Sequence, residues 1–365
     1  MRPRVRAGVW SAALAAALLG VSTVAAGVGP VAIDALVVAK VLANAVRVPV
    51  GLTVAGGGAG SLLQLPTLGV EWAPVVSYDV KPLYATIVTK VRLPRIALGA
   101  TVGFSLAAAG TVMQGFFRNP MADPSVIGVS SGAAVGAVLF IVAPVAVPLG
   151  LGLRGAAFVG ALATAAVVYL IATEGGRTPV ATLLLAGVAI QTFLGAVTSY
   201  LLLNSGESMR RVVYWLMGHL DATRMSEAVV TGALGLGLVG LMYLYAEDLN
   251  ALLMGEEQAR AVGVEVERTK RILLAASSVV TGAAVAVAGV IGFVGLIVPH
   301  AMRLLVGPDH RVLLPVSAFA GASFLVLADT VARSGAASLP VGIVTAAVGA
   351  PFFLYLLRRR EVSEL

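Results

Sequence analysis

The charges of this chain concentrate in one short stretch, residues 254–271 (MGEEQARAVGVEVERTKR), where eight of eighteen side chains are acidic or basic. The whole chain has only 25 Lys and Arg and 18 Asp and Glu among 365 residues. Long apolar segments flank the stretch on both sides. A charged interruption of this kind is either a solvated connector or a surface that docks on a partner.

A short amphipathic helix is predicted immediately before these charges. Leu249, Leu252 and Leu253 follow the spacing i, i+3, i+4, which places them on one face of a helix. Gly255 interrupts the pattern. The charged stretch therefore begins where one short helix ends, and a second helix follows at an angle to it.

The second predicted helix is EEQARAV. Glu256 and Glu257 lie in its first turn, where acidic side chains are favourable to the helix dipole. Ala259 and Arg260 follow in its interior, and Gly263 is placed to cap its end. Because a solvated connector needs neither a leucine face nor ordered caps, the pattern favours a docking element on the cytoplasmic side.

Residue types that carry catalytic chemistry are otherwise sparse. A phosphate-binding loop needs Gly-Lys-Ser/Thr, and none of the four lysines follows a glycine. The absence of cysteine excludes disulfides, thiolate catalysis and iron–sulfur ligation by this chain. The three histidines are far apart in sequence: His219, His300 and His310. We therefore predict no metal site, no cofactor and no enzyme activity on this chain.

Two ionisable residues, Arg303 and Asp329, lie near the ends of apolar segments. Ionisable side chains within membrane spans serve proton relays in some transporters. Snorkelling or pairing at a helix end is the simpler explanation for a charge in such a position, and we prefer it. The chain is thus predicted to be a passive transport pathway, with the energy supplied from outside this chain.

Composition defines the elements that position these residues. The chain is 59% hydrophobic and 12% charged, with a mean hydropathy of +0.96, whereas soluble domains have roughly 25% charged residues. It is therefore predicted to be an all-α, polytopic membrane protein. Ten apolar segments of suitable length are predicted to span the bilayer: 7–29, 94–115, 126–143, 155–173, 180–203, 228–246, 271–289, 291–306, 312–332 and 340–357.

Both termini are predicted to be cytoplasmic. Arginines flank the first and last spans, and an even number of spans puts the two ends on one side of the membrane. The basic start and short apolar run of residues 1–20 also fit a secretory signal. That alternative lacks a clean small-x-small cleavage site and would leave nine spans.

Some segments depart from a regular helical pattern. Residues 30–92 form a long outer connection, whose Gly and Pro content predicts loop and short helices without an assigned role. Gly128, Gly132 and Gly136 are spaced four apart, which allows close approach of helix backbones. GVIGFVGLIVPH (289–300) predicts a short or broken helix, which a membrane tolerates only where it is buried in protein or lines a cavity.

Six blocks of sequence carry a family likeness. They are RLPRIALGATVGFSLAAAGTVMQGFFRNPMADPSVIGVSSGAAVG (92–136), LLLAGVA (183–189), YWLMGHL (214–220), LNALLMGEEQARAVGV (249–264), GFVGLIVPHAMRLLVGPDHRVLLP (292–315) and VGIVTAAVGAPFFLYLL (341–357). In this order they resemble the permeases of type II ATP-binding-cassette importers for iron chelates, haem and cobalamin. The likeness covers most of residues 92–357, and the long 30–92 connection departs from the compact family pattern.

The resemblance implies one permease domain over residues 1–365, in a homodimer of ten-helix subunits embedded in the lipid bilayer of the cell membrane. Two ATPase subunits would bind the cytoplasmic face and carry the ATP and Mg. An extracytoplasmic binding protein would deliver the substrate, and no nucleic acid is involved. Residues 247–270 would contain the coupling helices that sit in a groove of the ATPase.

Other positions carry over from the family one at a time. Arg92 and Arg95 in RLPR, and Arg333 in DTVAR, match arginines that pair with acidic residues of the binding protein. They lie at the outer face in the predicted topology. Without the family, each would be interpreted as an interfacial anchor.

Two loops resemble the family's cytoplasmic gate. RNPMADP (118–124) contains the gate candidates Asn119 and Met121, although Asp123 before Pro124 also predicts an ordinary capped turn. The second loop lies in RTPVATLLLAG (177–187). Its gate candidates are Thr178, Pro179, Val180, Ala181 and Thr182.

Within this family, the segment DHRVLLP…FAGASFLVLADTVAR looks closest to cobalamin permeases. An iron–siderophore is the second candidate substrate and haem the third. A secondary transporter or channel would need an internal repeat and a coupling-ion site at the midplane of the membrane, and neither is visible in the sequence. A membrane-embedded enzyme would need a catalytic cluster that the sparse histidines and acids do not provide.

Overall fold

The computed structural model of the protein describes residues 3–55, 67–143, 152–221, 223–335 and 338–361. Within these ranges the chain forms two strands, β1 (Arg47–Ala55) and β2 (Thr67–Pro74), and fifteen α-helices. The helices are α1 (Pro3–Gly27), α2 (Ala35–Ala45), α3 (Pro82–Thr86), α4 (Leu93–Phe116), α5 (Val129–Val142), α6 (Gly152–Ala172), α7 (Val180–Leu203), α8 (Met209–Leu216), α9 (Met225–Leu244), α10 (Ala246–Leu253), α11 (Glu256–Ala261), α12 (Val266–Ala288), α13 (Val294–Val306), α14 (His310–Ser334) and α15 (Val341–Glu361).

Each of the ten predicted spans corresponds to one of these helices, which confirms the all-α membrane fold. Seven helices in the described ranges are long and apolar enough to cross a membrane: α1, α4 with the helical turns before it, α6, α7, α9, α12 and α14. The other three spans, α5, α13 and α15, are shorter apolar helices.

The centre of the bundle is α4, which packs against α9, α12, α13 and α14. Its small residues allow this close packing. A Cβ on Gly103 would overlap the carbonyl group of Gly321 in α14, and one on Gly110 would overlap that of Gly295 in α13. Helices in lipid associate through such backbone contacts, because the surrounding lipid tails provide no hydrophobic drive between helices.

The predicted glycine contact of α5 is present, with one correction. Gly132 and Gly136 lie against the backbone of α6, where an added Cβ would overlap the carbonyl groups of Gly160 and Ala156. Gly128 is not part of this helix face, since it precedes α5 with a left-handed φ of 83°. Only glycine adopts that conformation readily.

The predicted span 291–306 is a short helix that begins inside the bundle. α12 ends at Gly289 (φ 71°), the chain turns again at Phe293 (φ 70°), and α13 starts at Val294. Its 13 residues extend only about 20 Å, compared with about 30 Å for the bilayer core. α13 is therefore less than a full span, as the glycines and Pro299 predicted.

The connection between α1 and α4 contains an element that the sequence did not predict. Besides α2 and α3 it forms an antiparallel hairpin, in which Arg47 pairs with Pro74 and Ala55 with Thr67. The prediction of loop and short helices alone was wrong here, because β-branched residues in RVPVGLTV favour a strand even beside Pro and Gly. A π-helical turn (Ile87–Arg92) then leads directly into α4.

The bundle has two ends, which α4 connects. The arginine end is defined by Arg92, Arg95 and Arg333, at the start of α4 and the end of α14. The α10–α11 end lies at the other terminus of α4, where Gly115 contacts Leu249 of α10. The start of α1 is also at the α10–α11 end, since Arg6 donates a hydrogen bond to the carbonyl oxygen of Val306 at 3.1 Å.

Candidate functional site: the two charged ends of the bundle

The two short helices predicted around Gly255 are present as α10 and α11, but α10 directs its apolar face inward. Leu249 and Leu252 are buried, with 1% and 4% of their surfaces exposed. Leu253 is 37% exposed, so the prediction that all three leucines share one face is wrong for this residue. At Gly255 the chain turns with a φ of 125°, which separates α11 from α10.

The predicted caps of α11 are present. Glu256 and Glu257 lie in its first turn. At its end the Gly263 amide donates to the carbonyl oxygen of Arg260 at 3.0 Å, and Gly263 has a left-handed φ of 90°. Ala259 is fully buried and fixes the inner side of the helix. The residues of α11 thus determine both its bounds and its orientation.

The surface that α10 and α11 expose differs from the predicted leucine face. Met254 and Val262 are 75% and 73% exposed and join Leu253 in presenting apolar side chains outward. Glu257 is exposed beside them. Sequence reasoning missed Met254 and Val262, although their place directly after each short helix is the signal that could have identified them.

The loop before α7 is a tight turn that holds Thr178 inside the protein. Glu174 and Arg177 form a two-residue hairpin, in which each amide donates to the other's carbonyl oxygen at 3.0 Å. Thr178 is buried, with 3% of its surface exposed. Among the other gate candidates Pro179, Ala181 and Thr182 are exposed and Val180 is half-buried. Their gate role stays a prediction.

Thr178 is bonded to a cluster of charges that the sequence did not indicate. The Lys270 ammonium group donates to the Thr178 carbonyl oxygen at 2.6 Å, to Glu256 Oε1 at 3.1 Å and to Glu267 Oε1 at 3.3 Å. Arg260 of α11 also contacts Glu256, at 3.2 Å. The cluster joins α11, α12 and the loop before α7.

The first predicted gate loop forms a capped turn. Asn119 Oδ1 accepts a hydrogen bond from the amide of Met121 at 2.9 Å, and the Asn119 carbonyl oxygen accepts one from Ala122 at 3.0 Å. Asp123 accepts from the amide of Ser125 at 2.9 Å and caps a short 3₁₀ turn. The local structural explanation is therefore present, and the gate role of Asn119 and Met121 stays a prediction.

α10 is fastened to the start of α14. Asp309 Oδ1 accepts from Asn250 Nδ2 at 2.7 Å and from the amide of Arg311 at 3.0 Å, so that Asp309 caps α14 while contacting α10. The hydrogen bonds and charge of Arg311 lower the pKa of Asp309 to about 2. The carboxylate is therefore ionised at neutral pH and joins the two helices.

At the arginine end, two guanidinium groups bind main-chain carbonyl groups in the last turn of α1 and just after it. Arg92 donates to the carbonyl oxygen of Ala26 at 2.6 Å and to that of Val31. Arg333 donates to the carbonyl oxygen of Ala25 at 3.2 Å. These carbonyl groups lie at a helix end, where intrahelical partners are missing. Arg92 and Arg333 therefore join α1 to α4 and α14.

The remaining arginine shares a buried carboxylate. Arg95 contacts Asp329 at 2.8 Å, and Arg333 contacts the same carboxylate at 2.9 Å. Arg95 also pairs with Asp221, which accepts a hydrogen bond from the hydroxyl group of Tyr214. Burial and the nearby carboxylate raise the pKa of Tyr214 to about 12. The predicted helix-end pairing of Asp329 is thus present in the structure.

The three arginines predicted to pair with a binding protein lie together at one end of the bundle, but Arg92 and Arg333 are buried within the chain. Their exposed fractions are 4% and 5%, because their hydrogen bonds are made within the chain. Docking by these side chains stays a prediction, and one that would require them to leave these bonds. Two arginines that sequence reasoning missed, Arg210 and Arg211, are exposed at this end beside Tyr214.

No group of three or more His, Asp or Glu residues with metal-binding geometry occurs in the described part of the chain. Two of the three histidines lie at opposite ends of the bundle. His310 Nδ1 lies 2.8 Å from Asn250 Oδ1 at the α10–α11 end, whereas the ring of His219 stacks at a tilt on Tyr214 at the arginine end.

Residues 58–359 match the FecCD transport family. The chain is 55% identical over 99% of its length to a cobalamin import system permease protein of Halobacterium salinarum, 98% of which is covered. It is 44% identical over 74% of its length to a hemin transport system permease protein of Yersinia pestis, 83% of which is covered.

A solved structure also shares the fold. It is described as an inward-facing conformation of a metal-chelate type ABC transporter, with a TM-score of 0.78 and 28% identity. The match covers 96% of this chain and 98% of that one. The family match, the relatives and the fold agree along the chain. This protein is therefore a member of the FecCD transport family, a multi-pass permease of the ATP-binding-cassette importer class.

Proposed function

We propose that this permease imports cobalamin, driven by ATP hydrolysis on a partner protein. The observation that carries the proposal is the 55% identity, over nearly the whole of both chains, to a cobalamin import permease. The described residues contain no phosphate-binding loop, and the sequence has no Gly-Lys pair, so we place nucleotide and Mg on the partner. This chain would be the translocation subunit, working as two copies.

Haem and iron chelates remain the alternative substrates. The hemin permease is 44% identical, and the structural relative is of the metal-chelate type. We expect a pathway lined by small apolar residues to discriminate weakly among bulky chelates. Selectivity would then lie in an extracytoplasmic binding protein that delivers the substrate.

The ATPase would dock on the exposed side of α10 and α11. This side presents Leu253, Met254 and Val262, which are apolar, next to the exposed Glu257. A protein-binding patch with an apolar centre and a polar rim has this composition. Leu249 and Leu252 contribute by holding α10 in place, since their side chains are buried.

The binding protein would dock at the arginine end. Arg95 is mostly buried in its ion pairs, whereas Arg210 and Arg211 are exposed. Exposed charges steer association more than they add affinity. Replacing Arg210 and Arg211 by Glu should therefore weaken docking most at low salt, where charges are least screened. An affinity equal to that of the wild type at both low and high salt would remove these two residues from the docking surface.

Uptake into proteoliposomes tests the function. The permease is reconstituted with its ATPase and binding protein, and labelled cyanocobalamin, hemin and a ferric siderophore are offered with ATP or a non-hydrolysable analogue. We expect ATP-dependent uptake of cyanocobalamin. ATP-dependent uptake of hemin or the siderophore alone would identify that compound, and not cobalamin, as the substrate. Uptake that persists without ATP would indicate a secondary transporter or channel.

A titration of the binding protein supplies an independent measurement. Its affinity for the same three compounds is measured in solution, where the permease plays no part. Tight binding of cyanocobalamin alone supports the proposed substrate. Tight binding of hemin or the siderophore instead would assign the permease to the corresponding chelate.

A further inference from the structure

A buried ammonium group lies where α11, α12 and the loop before α7 meet. Lys270 is 4% exposed, and its Nζ has acceptors on Thr178, Glu256 and Glu267 at 2.6, 3.1 and 3.3 Å. An ammonium group has three N–H donors, and here each has one acceptor. Lys270 therefore does not extend towards water as lysines near a membrane surface usually do.

The main chain of Thr178 is held on both sides. Its carbonyl oxygen accepts from Lys270, and its amide donates to Glu267 Oε2 at 3.1 Å. Lys270 and Glu267 both belong to α12. The next residue, Pro179, has no amide hydrogen, and α7 begins immediately afterwards at Val180. The start of α7 is thus fixed to α12 through main-chain atoms.

The loop itself is a stiff connector. The paired amides and carbonyl groups of Glu174 and Arg177 close a turn whose two glycines have φ values of 57° and 77°. The Thr178 hydroxyl group lies 2.9 Å from that of Thr173 at the end of α6. A displacement at Thr178 would therefore move α7 rather than be absorbed within the loop.

On its other side the cluster reaches the surface. Glu256, which accepts from Lys270, is in the first turn of α11 and keeps 27% of its side chain exposed. α11 has only six residues, too few to form a stable helix alone, so its position depends on its contacts. The Glu256–Lys270 pair connects this short surface helix to the main chain at Thr178.

We infer that Lys270 is a positioning residue that transmits the position of α11 to the start of α7. The inference rests on the proposed function, in which α11 contacts the ATPase, and on the predicted gate at residues 178–182. A buried ion pair adds little net stability, because desolvation offsets the attraction, but it can specify one arrangement. Lys270 contacts both α11 and the residue before the start of α7. A coupled movement of these two elements can therefore be tested by experiment.

A distance measurement tests the link without any partner. Since the chain has no cysteine, cysteines placed at the exposed Glu174 and Glu257 are the labelling sites, and a large excess of unlabelled permease ensures that each labelled copy pairs with an unlabelled one. In the permease in lipid nanodiscs we expect a narrow distance distribution. Lys270→Gln should broaden or shift it, and Lys270→Arg should restore part of the order. An unchanged distribution in Lys270→Gln would overturn the inference.

The matched control is Arg268→Gln, which removes the same charge two residues away. Arg268 is exposed and pairs with Glu265 at 3.3 Å, outside the cluster. We expect it to leave the distance distribution unchanged. If Lys270→Gln fails to fold, Glu256→Gln breaks the same link from its half-exposed side and carries the test instead.

Transport then separates positioning from simple stabilisation. In the reconstituted importer, substrate moved per ATP hydrolysed should fall about tenfold in Lys270→Gln, within the range typical of coupling between sites. The double variant with Glu256→Gln should be no worse than either single one, because both remove one connection. Normal coupling in Lys270→Gln refutes the inference. A wild-type importer without ATP-dependent uptake refutes the proposed function, and the distance measurement still decides the link.

Discussion

At the arginine end, buried guanidinium groups bind carbonyl groups at the end of α1, whereas at the α10–α11 end a buried ammonium group binds a loop and a surface helix. Arg92 and Arg333 connect segments of long helices that are already packed against each other. Lys270 connects α12 to α11, which has six residues, and to a two-residue turn.

The difference concerns what each buried charge determines. Long helices with extensive apolar contacts keep their positions through packing, so the arginines mainly bind main-chain carbonyl groups that lack intrahelical partners at a helix end. A short helix has little core of its own and can open or shift at low cost. The ionic contacts of a short helix therefore contribute strongly to fixing its position. We infer that the arginine end is the stiffer of the two.

The largest effect should come from breaking α11. The amide of Ala259 donates to the carbonyl oxygen of Gly255 at 3.0 Å, and Ala259→Pro removes this bond in a fully buried position. Proline inside a helix costs about 3 kcal/mol or more. We expect loss of ATP-coupled transport, measured in proteoliposomes, while circular dichroism shows the spanning helices intact.

Ala259→Gly is the graded comparison at the same position. It keeps the amide and costs only about 1 kcal/mol of helix stability. Transport should therefore be reduced but not lost. Full transport by the proline variant would show that α11 is only a connector, and the contrast between the two ends would lose its functional meaning.

The second largest effect should appear at the arginine end, as lost stability. Asp329→Ala removes the carboxylate that Arg95 and Arg333 share and leaves two buried guanidinium groups without it. Breaking a buried pair from one side costs about 3–5 kcal/mol. Thermal unfolding in detergent measures the loss, with the exposed Glu207→Ala as a control at the same end. A stability equal to that of the control would contradict the proposed stiffness.

A smaller effect is expected where α10 meets α14. Asp309→Ala removes the cap of α14 and the contact with Asn250, and loss of such a cap costs about 0.5–2 kcal/mol. The pKa of Asp309 is lowered to about 2, below its usual value of about 3.9. Its stabilising contribution is therefore present above about pH 4 and lost as the pH falls through about 2.

Comparing unfolding of the wild type and Asp309→Ala at several pH values checks this sign. The stability difference between them should be constant from neutral pH down to about 4 and should shrink below it. A difference that grows on acidification would show that Asp309 is not held ionised by Arg311. In that case the α10–α11 end would be less firmly fastened than the structure indicates.

The smallest effect should come from an exposed pair at the α10–α11 end. Arg268 contacts Glu265 at 3.3 Å, but both side chains are more than 60% exposed. Exposed ion pairs contribute about 0–1 kcal/mol. Arg268→Ala should therefore change the midpoint of unfolding and the coupled transport very little. A large loss in transport alone would identify Arg268 as a contact for the ATPase and extend the docking surface to α12.

Much of the fold could be predicted because it depends on local patterns. Apolar segments of about 20 residues predicted the spanning helices, and glycines predicted both a close backbone contact of α5 and the short α13. Gly255 and Gly263 marked the bounds of α11. The hairpin β1–β2 was missed because Pro and Gly in 30–92 suggested loops. Strand pairing depends on a partner 20 or so residues away, which local punctuation does not reveal.

For the candidate sites, in contrast to the fold, little could be predicted from local patterns. The sequence placed Arg92 and Arg333 at the same end of the predicted bundle but did not reveal that they are buried, and it gave Lys270 no role beyond that of a charge. Leu253 was assigned to the same apolar face as Leu249 and Leu252, whereas Met254 and Val262 were not noticed. In each case the side chain's environment depends on neighbours from other helices.

The sequence by itself determined a polytopic helical membrane protein with two short helices at one end, since length, apolarity and caps act within a few residues of each other. Only the tertiary structure decided which charges are buried and what they bind. Arg95 and Asp329 are 234 residues apart, and Lys270 and Thr178 are 92 apart. Such pairs form because packing of whole helices brings their ends together, and no local pattern records that packing.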